Sequence, residues 1–66
     1  MIIVQFYKVY PGLRVFKVRG TSKGQEGMVR EVHGPLKTMT VVFDDSSVEE
    51  FAKPDEYEPA LQKGAD

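Results

Sequence analysis

Turn-forming residues punctuate this chain so often that no segment between them runs much beyond nine or ten residues. Pro11-Gly12 closes the first segment, three glycines within residues 20–27 close the second, and His33-Gly34-Pro35 closes the third. Asp44-Asp45-Ser46-Ser47 follows, and Pro54 and Pro59 break what remains. Glycine opens backbone conformations that other residues resist, and proline fixes φ and removes a donor, so each site is a forced change of direction. The intervening segments are rich in β-branched and aromatic residues, which suit strands. Thr38-Met39-Thr40-Val41-Val42-Phe43 is the clearest of them and is poor helix material. The predicted strands are 2–10, 13–19, 28–32, 38–43 and 48–51, the last two joined by a hairpin with a two-residue turn at Asp45-Ser46. Pro54-Asp55-Glu56-Tyr57 reads as a single 3₁₀ turn, because Pro59 arrives too soon for a helix.

Sixty-six residues, 41% of them apolar and none of them Trp, suffice for one small core. A chain this short buries only roughly 60% of its unfolded surface. The expected organisation is one domain over residues 1–61 with a frayed tail at 62–66. The expected fold is all-β, a small barrel of about five strands with a short 3₁₀ turn near the C-terminus. Curling lets such a sheet bury its inner face against itself and protect its edges. Val15, Val18, Val29, Val32, Val41, Phe43, Val48 and Phe51 are the core candidates, with Tyr57 or Leu61 closing the barrel mouth. Val15 to Val18 and Val29 to Val32 step by three, which on a strand requires a bulge or a bend.

Composition excludes several chemistries. With no cysteine there are no disulfides, thiolate metal sites or thiol nucleophiles. His33 stands alone, and one layer of short strands offers little volume for a catalytic pocket, so neither an enzyme nor a cofactor is expected. Asp44, Asp45, Glu49 and Glu50 are hard oxygen donors, but four carboxylates on a hairpin do not make a cation cage, and no metal is expected. The glycines at 20, 24 and 27 lack the Lys-Ser or Lys-Thr ending and the following helix of a phosphate-binding loop. The run at 1–4 is too short for a signal-peptide core, and nothing approaches a membrane span of ~20 apolar residues, so the expected location is cytoplasmic.

Leu13-Arg14-Val15 through Val18, then Gly20, Lys23-Gly24, Gly27, Val29 and Val32, resemble the KOW motif within the wider group of SH3-like barrels. The stretch from Val42 through Phe51, followed by Pro54-Asp55-Glu56, is similar to the last hairpin and 3₁₀ turn of many SH3-like domains. The resemblance spans residues 13–57. It implies either binding to RNA or polymerase, with the loop at 20–27 facing the partner, or a role like the variable subunit of ferredoxin-thioredoxin reductase, a non-catalytic shell around a catalytic partner. The predicted strand at 2–9 and the acidic C-terminal half depart from both patterns.

Charge is unevenly distributed along the chain. Residues 1–43 carry seven Lys and Arg against Glu26 and Glu31, a balance of +5, and residues 44–66 carry the opposite, −6, for a net charge of −1. Tyr10, Arg14, Phe16, Lys17, Arg19, Lys23 and Arg30 are the candidate partner-binding residues: basic groups for phosphate or an acidic protein, aromatic rings for stacking or anchoring. Phe16 is read either as an exposed ring between basic side chains or as core. The leading expectation is a non-catalytic accessory or adaptor that docks on a larger protein complex and modulates it, since a protein partner can use both charge signs. The alternative is RNA or single-stranded DNA binding through the basic strands and the loop at 20–27. The strand at 2–9 is expected either to close the barrel or to pair with another chain.

Overall fold

A computed structural model describes residues 3–60, so Leu61 and the tail at 62–66 lie outside the described residues. Five antiparallel strands, β1 (Arg14–Lys17), β2 (Glu26–His33), β3 (Thr38–Phe43), β4 (Val48–Ala52) and β5 (Tyr57–Pro59), form one sheet in the order β4-β3-β2-β1-β5. Two 3₁₀ turns, Phe6–Lys8 and Pro54–Glu56, are the other elements among the described residues. The turns form where the residues demand them. Pro11 and Gly12 occupy the centre of a turn closed by the Leu13 N–H donating to the Tyr10 carbonyl, with Gly12 at φ +99°, a value that glycine alone adopts freely. Pro54 opens the second 3₁₀ turn where it was predicted.

The sheet is open, which corrects the expectation of a closed SH3-like or KOW-like barrel. β4 and β5 are its two edges and share no backbone ladder. Two features keep them apart. β5 is only three residues long and ends in a proline, and its Tyr57 carbonyl is already taken by the Val4 N–H at 2.9 Å. The sheet nevertheless curls hard. β1 and β4 lie three strand spacings apart, about 14 Å in a flat sheet, yet Lys17 of β1 reaches Glu49 of β4 at 2.7 Å. Side chains, not a ladder, bridge the mouth.

The N-terminal segment is a second correction. Of the strand predicted at 2–9, residues 3–9 instead carry the 3₁₀ turn Phe6–Lys8, flanked by extended residues, and among the described residues they make one backbone bond to β5, from Val4. Val4 itself is buried in the core.

The core comprises Val4, Val15, Val29, Met39, Val41, Phe43, Ala52 and Tyr57, with Val9, Leu13 and Val32 packed against it. The two predicted steps of three resolve differently. In β2 the register shifts between Val29 and Glu31, so a bulge at Arg30 lets both Val29 and Val32 face inward. In β1 there is no bulge: Val15 faces in, Phe16 out and Lys17 in, by plain alternation. Val48 and Phe51, read as core, lie on the outer face. For Val48 the hairpin turn is the cause, and for Phe51 it is the register slip of β4 between Val41 and Met39. The turn spans three residues, Asp44 to Ser46, with Ser46 at φ +76° and the Phe43 N–H donating to the Ser47 carbonyl. A two-residue turn would pair Phe43 with Val48; the extra residue pairs Val42 with Val48 and Val41 with Glu49 instead. One step of register exchanges the faces of β4.

Gly27 is the tightest point of the sheet. A Cβ there would lie 2.7 Å from the Val42 carbonyl oxygen and 3.0 Å from the Phe43 Cα, both backbone atoms that cannot swing aside. Gly27→Ala is therefore expected to lower stability by about 1–3 kcal/mol, the usual range for overpacking. Urea denaturation followed by circular dichroism reads it directly; an unchanged midpoint would show that β2 and β3 separate at no cost.

Candidate protein-docking face

The structure divides the candidate residues into two groups. Arg14 and Lys17 are engaged internally. The Arg14 guanidinium donates to Glu26 Oε2 at 2.9 and 3.1 Å and to both Asp44 oxygens at 3.1 Å, hydrogen bonds that hold its pKa above the ordinary arginine value. Lys17 is 1% exposed. Its ammonium meets Glu49 at 2.7 Å and Glu56 at 3.1 Å and lies 4.8 Å from the centroid of the Tyr57 ring. Burial opposes this charge, but the bonds to Glu49 and Glu56 outweigh it and leave the pKa raised. Tyr57 donates its own hydroxyl to Glu49. Burial first, and that bond second, push the phenol far above its usual value.

The basic first part of the chain is thus partly neutralised by the acidic last part. Asp44, Glu49 and Glu56 fold back onto Arg14 and Lys17, so the segregation seen along the sequence becomes pairing in space. Arg19, Lys23 and Arg30 remain exposed, as does Tyr10 beside its turn, but they do not share one element: Arg19 and Lys23 belong to the β1–β2 loop and Arg30 to the bulge. Asp45 Oδ1 accepts from the Ser47 hydroxyl at 2.6 Å and from its N–H at 3.0 Å, which lowers the pKa of the carboxyl and engages that oxygen in the turn. Among the described residues, no three His, Asp or Glu side chains converge as metal ligands, and no helix is long and apolar enough to cross a membrane.

What the sequence reading did not find is an apolar outer face. Register places Arg14 beside Met28, Met28 beside Val42 and Val42 beside Val48, one row crossing four strands. Side chains opposite one another in neighbouring strands point to the same face. Here that face is the outer one, with Met28 41% and Val48 49% exposed. Phe16 flanks the row on β1, 39% exposed, opposite Glu26 and Glu58. Beyond the row lies Thr40, which contacts His33 Nε2 at 2.8 Å, and then Phe51, whose ring sits 5.4 Å from the His33 ring. Phe51 has φ +57°, strained for a bulky residue, and it occurs where β4 slips register against β3. That backbone displays its ring, 56% exposed, at the rim of a hollow of about 230 Å³ shared with Arg30, Glu50 and Val48. The signal that could have found this face is the alternation of Met28 with Val29, read together with a three-residue hairpin turn.

No family model, curated protein or solved structure matches the chain.

Proposed function

We propose that this protein is a non-catalytic docking module that engages another protein through the outer face of its sheet. The observation that carries the reading is the apolar row Met28, Val42 and Val48, flanked by Phe16 and Phe51, on a face where Phe16, Met28, Val48 and Phe51 are exposed among the described residues. Surfaces of this kind mark interaction sites more often than they occur by chance on monomers. Aromatic and methionine side chains are the residue types enriched at the centre of interfaces. The engagement of Arg14 and Lys17 by carboxylates weighs against a nucleic-acid role, because it withdraws two of the basic groups such a role would use.

A photo-crosslinking residue placed at Val48 tests the proposal, with the same residue at Lys23 as the control. In extract of the native host, position 48 is expected to give a discrete protein adduct that Met28→Glu abolishes, and position 23 is not. An amide titration with a mixed-sequence single-stranded oligonucleotide supplies the opposite outcome. Shifts at Arg19, Lys23 and Arg30 that persist at near-physiological salt, with no adduct from position 48, would overturn docking in favour of nucleic-acid binding.

A further inference from the structure

We infer that the outer face docks a cationic, amphipathic segment of another protein. This rests on the reading of that face as a docking surface and adds the chemistry of what covers it. Carboxylates flank the apolar row on both sides. On one side Glu58, Phe16 and Glu26 lie opposite one another across β5, β1 and β2, two residues along from Arg14 and Met28. On the other side Glu31 pairs with Thr40, two residues along from Val42. Glu50, two residues beyond Val48, shares the hollow at Phe51 with Glu31. Arg14 neutralises Glu26 and Asp44, but Glu31, Glu50 and Glu58 form no ion pair among the described residues. Arg30 is the opposing charge in the hollow, and His33, the other titratable group there, is held against Thr40. With His33 neutral, the two carboxylates and one guanidinium leave the hollow a formal charge of −1.

Such a rim selects its partner by sign. Nucleic acid, an anionic lipid surface and a second copy of this face all bring negative charge to it, and like charges brought together cost affinity. A segment whose apolar side chains stand between lysines or arginines satisfies the whole face. Its apolar side chains cover Met28, Val42 and Val48, and its cations meet Glu31 and Glu50 on one flank and Glu58 on the other. At the hollow, a lysine or arginine lays its stem on Phe51 and Val48 and brings its head group to Glu31 and Glu50, which adds cation–π attraction to the ion pair. Shape points the same way. The sheet curls round its core, so the outer face is convex. A narrow segment lying across it keeps contact where a flat surface would touch only the crest. The row from Arg14 to Val48 covers three strand spacings, about 14 Å, the length of roughly nine helical residues.

Fluorescence anisotropy at near-physiological salt tests this with two labelled peptides of about 14 residues, roughly 21 Å long as helices. One carries leucines along a single helical stripe with lysine elsewhere, and the other has glutamate in place of every lysine. The lysine peptide is expected to bind at least about tenfold more tightly. Glu31→Lys and Glu50→Lys, both at exposed positions, should each weaken it by about fivefold, and Arg30→Gln should tighten it by about twofold. Asp55→Lys makes the same change of net charge at a separate groove beside Pro54 and should alter binding by less than about twofold. Amide shifts should centre on Met28, Val42 and Val48. Equal losses from all three lysine variants would show attraction by net charge alone and would overturn the inference. Equal binding of both peptides, or binding of neither, would overturn it too, and the adduct from position 48 then decides separately whether the docking reading stands.

Discussion

Tyr57→Ala is expected to leave the chain largely unfolded at 25 °C. The ring is fully buried, stacks against Phe43 with centroids 6.4 Å apart, and lies under the Lys17 ammonium. Removing a large buried aromatic side chain costs about 3–5 kcal/mol. A domain of this length has only about 3–10 kcal/mol in total. Tyr57→Phe keeps the packing and removes only the hydroxyl that donates to Glu49, so it should cost about 1.5–3 kcal/mol and remain folded. Thermal melts of the two variants separate the ring from the hydroxyl. Equal losses would mean that the polar bond, not the packing, holds β5 in place. A fully folded Tyr57→Ala would mean that β5 is dispensable and that the curl of the sheet is set by β1 to β4 alone.

Features of the fold were legible in the sequence where a residue type dictates a local geometry. Pro11-Gly12 demands its turn, Pro54 its 3₁₀ turn, and the β-branched run at 38–43 its strand, since each follows from sterics within a few residues. The N-terminal segment shows the limit of that reasoning. Its composition suits a strand, but a strand needs a neighbouring edge, and among the described residues the edge of β5 accepts one backbone hydrogen bond from it. Register was equally hidden. Asp45-Ser46 names a tight turn without fixing whether it holds two residues or three, and that one residue decides whether Val48 or Glu49 faces the core. The candidate docking face escaped notice for this reason at Val48, and at Phe51 because the slip of β4 between Val41 and Met39, which turns its ring outward, has no sequence signature. Lys17 was misplaced by its chemistry. A lysine reads as surface, whereas alternation from Val15 turns it inward, and the carboxylates that receive it are 32 and 39 positions further along the chain.

The charge distribution then takes on a structural meaning. An acidic C-terminal half is what lets an open sheet close its mouth without a fifth ladder. Glu49 stands on one edge strand and Glu56 next to the other, and a single ammonium from β1 meets both. Such a clasp needs no register, so it tolerates the short β5 and the strained Phe51. It also depends on protonation state in a way that a backbone ladder would not.

Lys17→Met tests that dependence. At pH 7 the substitution is expected to cost about 3 kcal/mol, because it leaves two carboxylates facing one another at the mouth with their cation gone. Adding Glu49→Gln and Glu56→Gln should recover most of the loss. The alkaline limb carries the sharper expectation. Lys17 and Tyr57 both hold their protons more tightly in the folded chain than in the unfolded one, whose values are about 10.4 and 10. The folded state therefore binds more protons, and stability falls as pH rises. The contribution of Lys17 is fully present below about pH 10.4 and is lost as pH climbs through its raised folded value; that of Tyr57 begins to erode near pH 10. Each group adds a slope of up to about 1.4 kcal/mol per pH unit, so the wild-type chain should approach about 2.7 and Lys17→Met about half of that. Urea midpoints measured from pH 7 to pH 11 should thus show the two chains converging. A gap that stayed constant to the alkaline end would mean that the lysine acts through its buried aliphatic stem, and that the mouth of the sheet is held by packing rather than by charge.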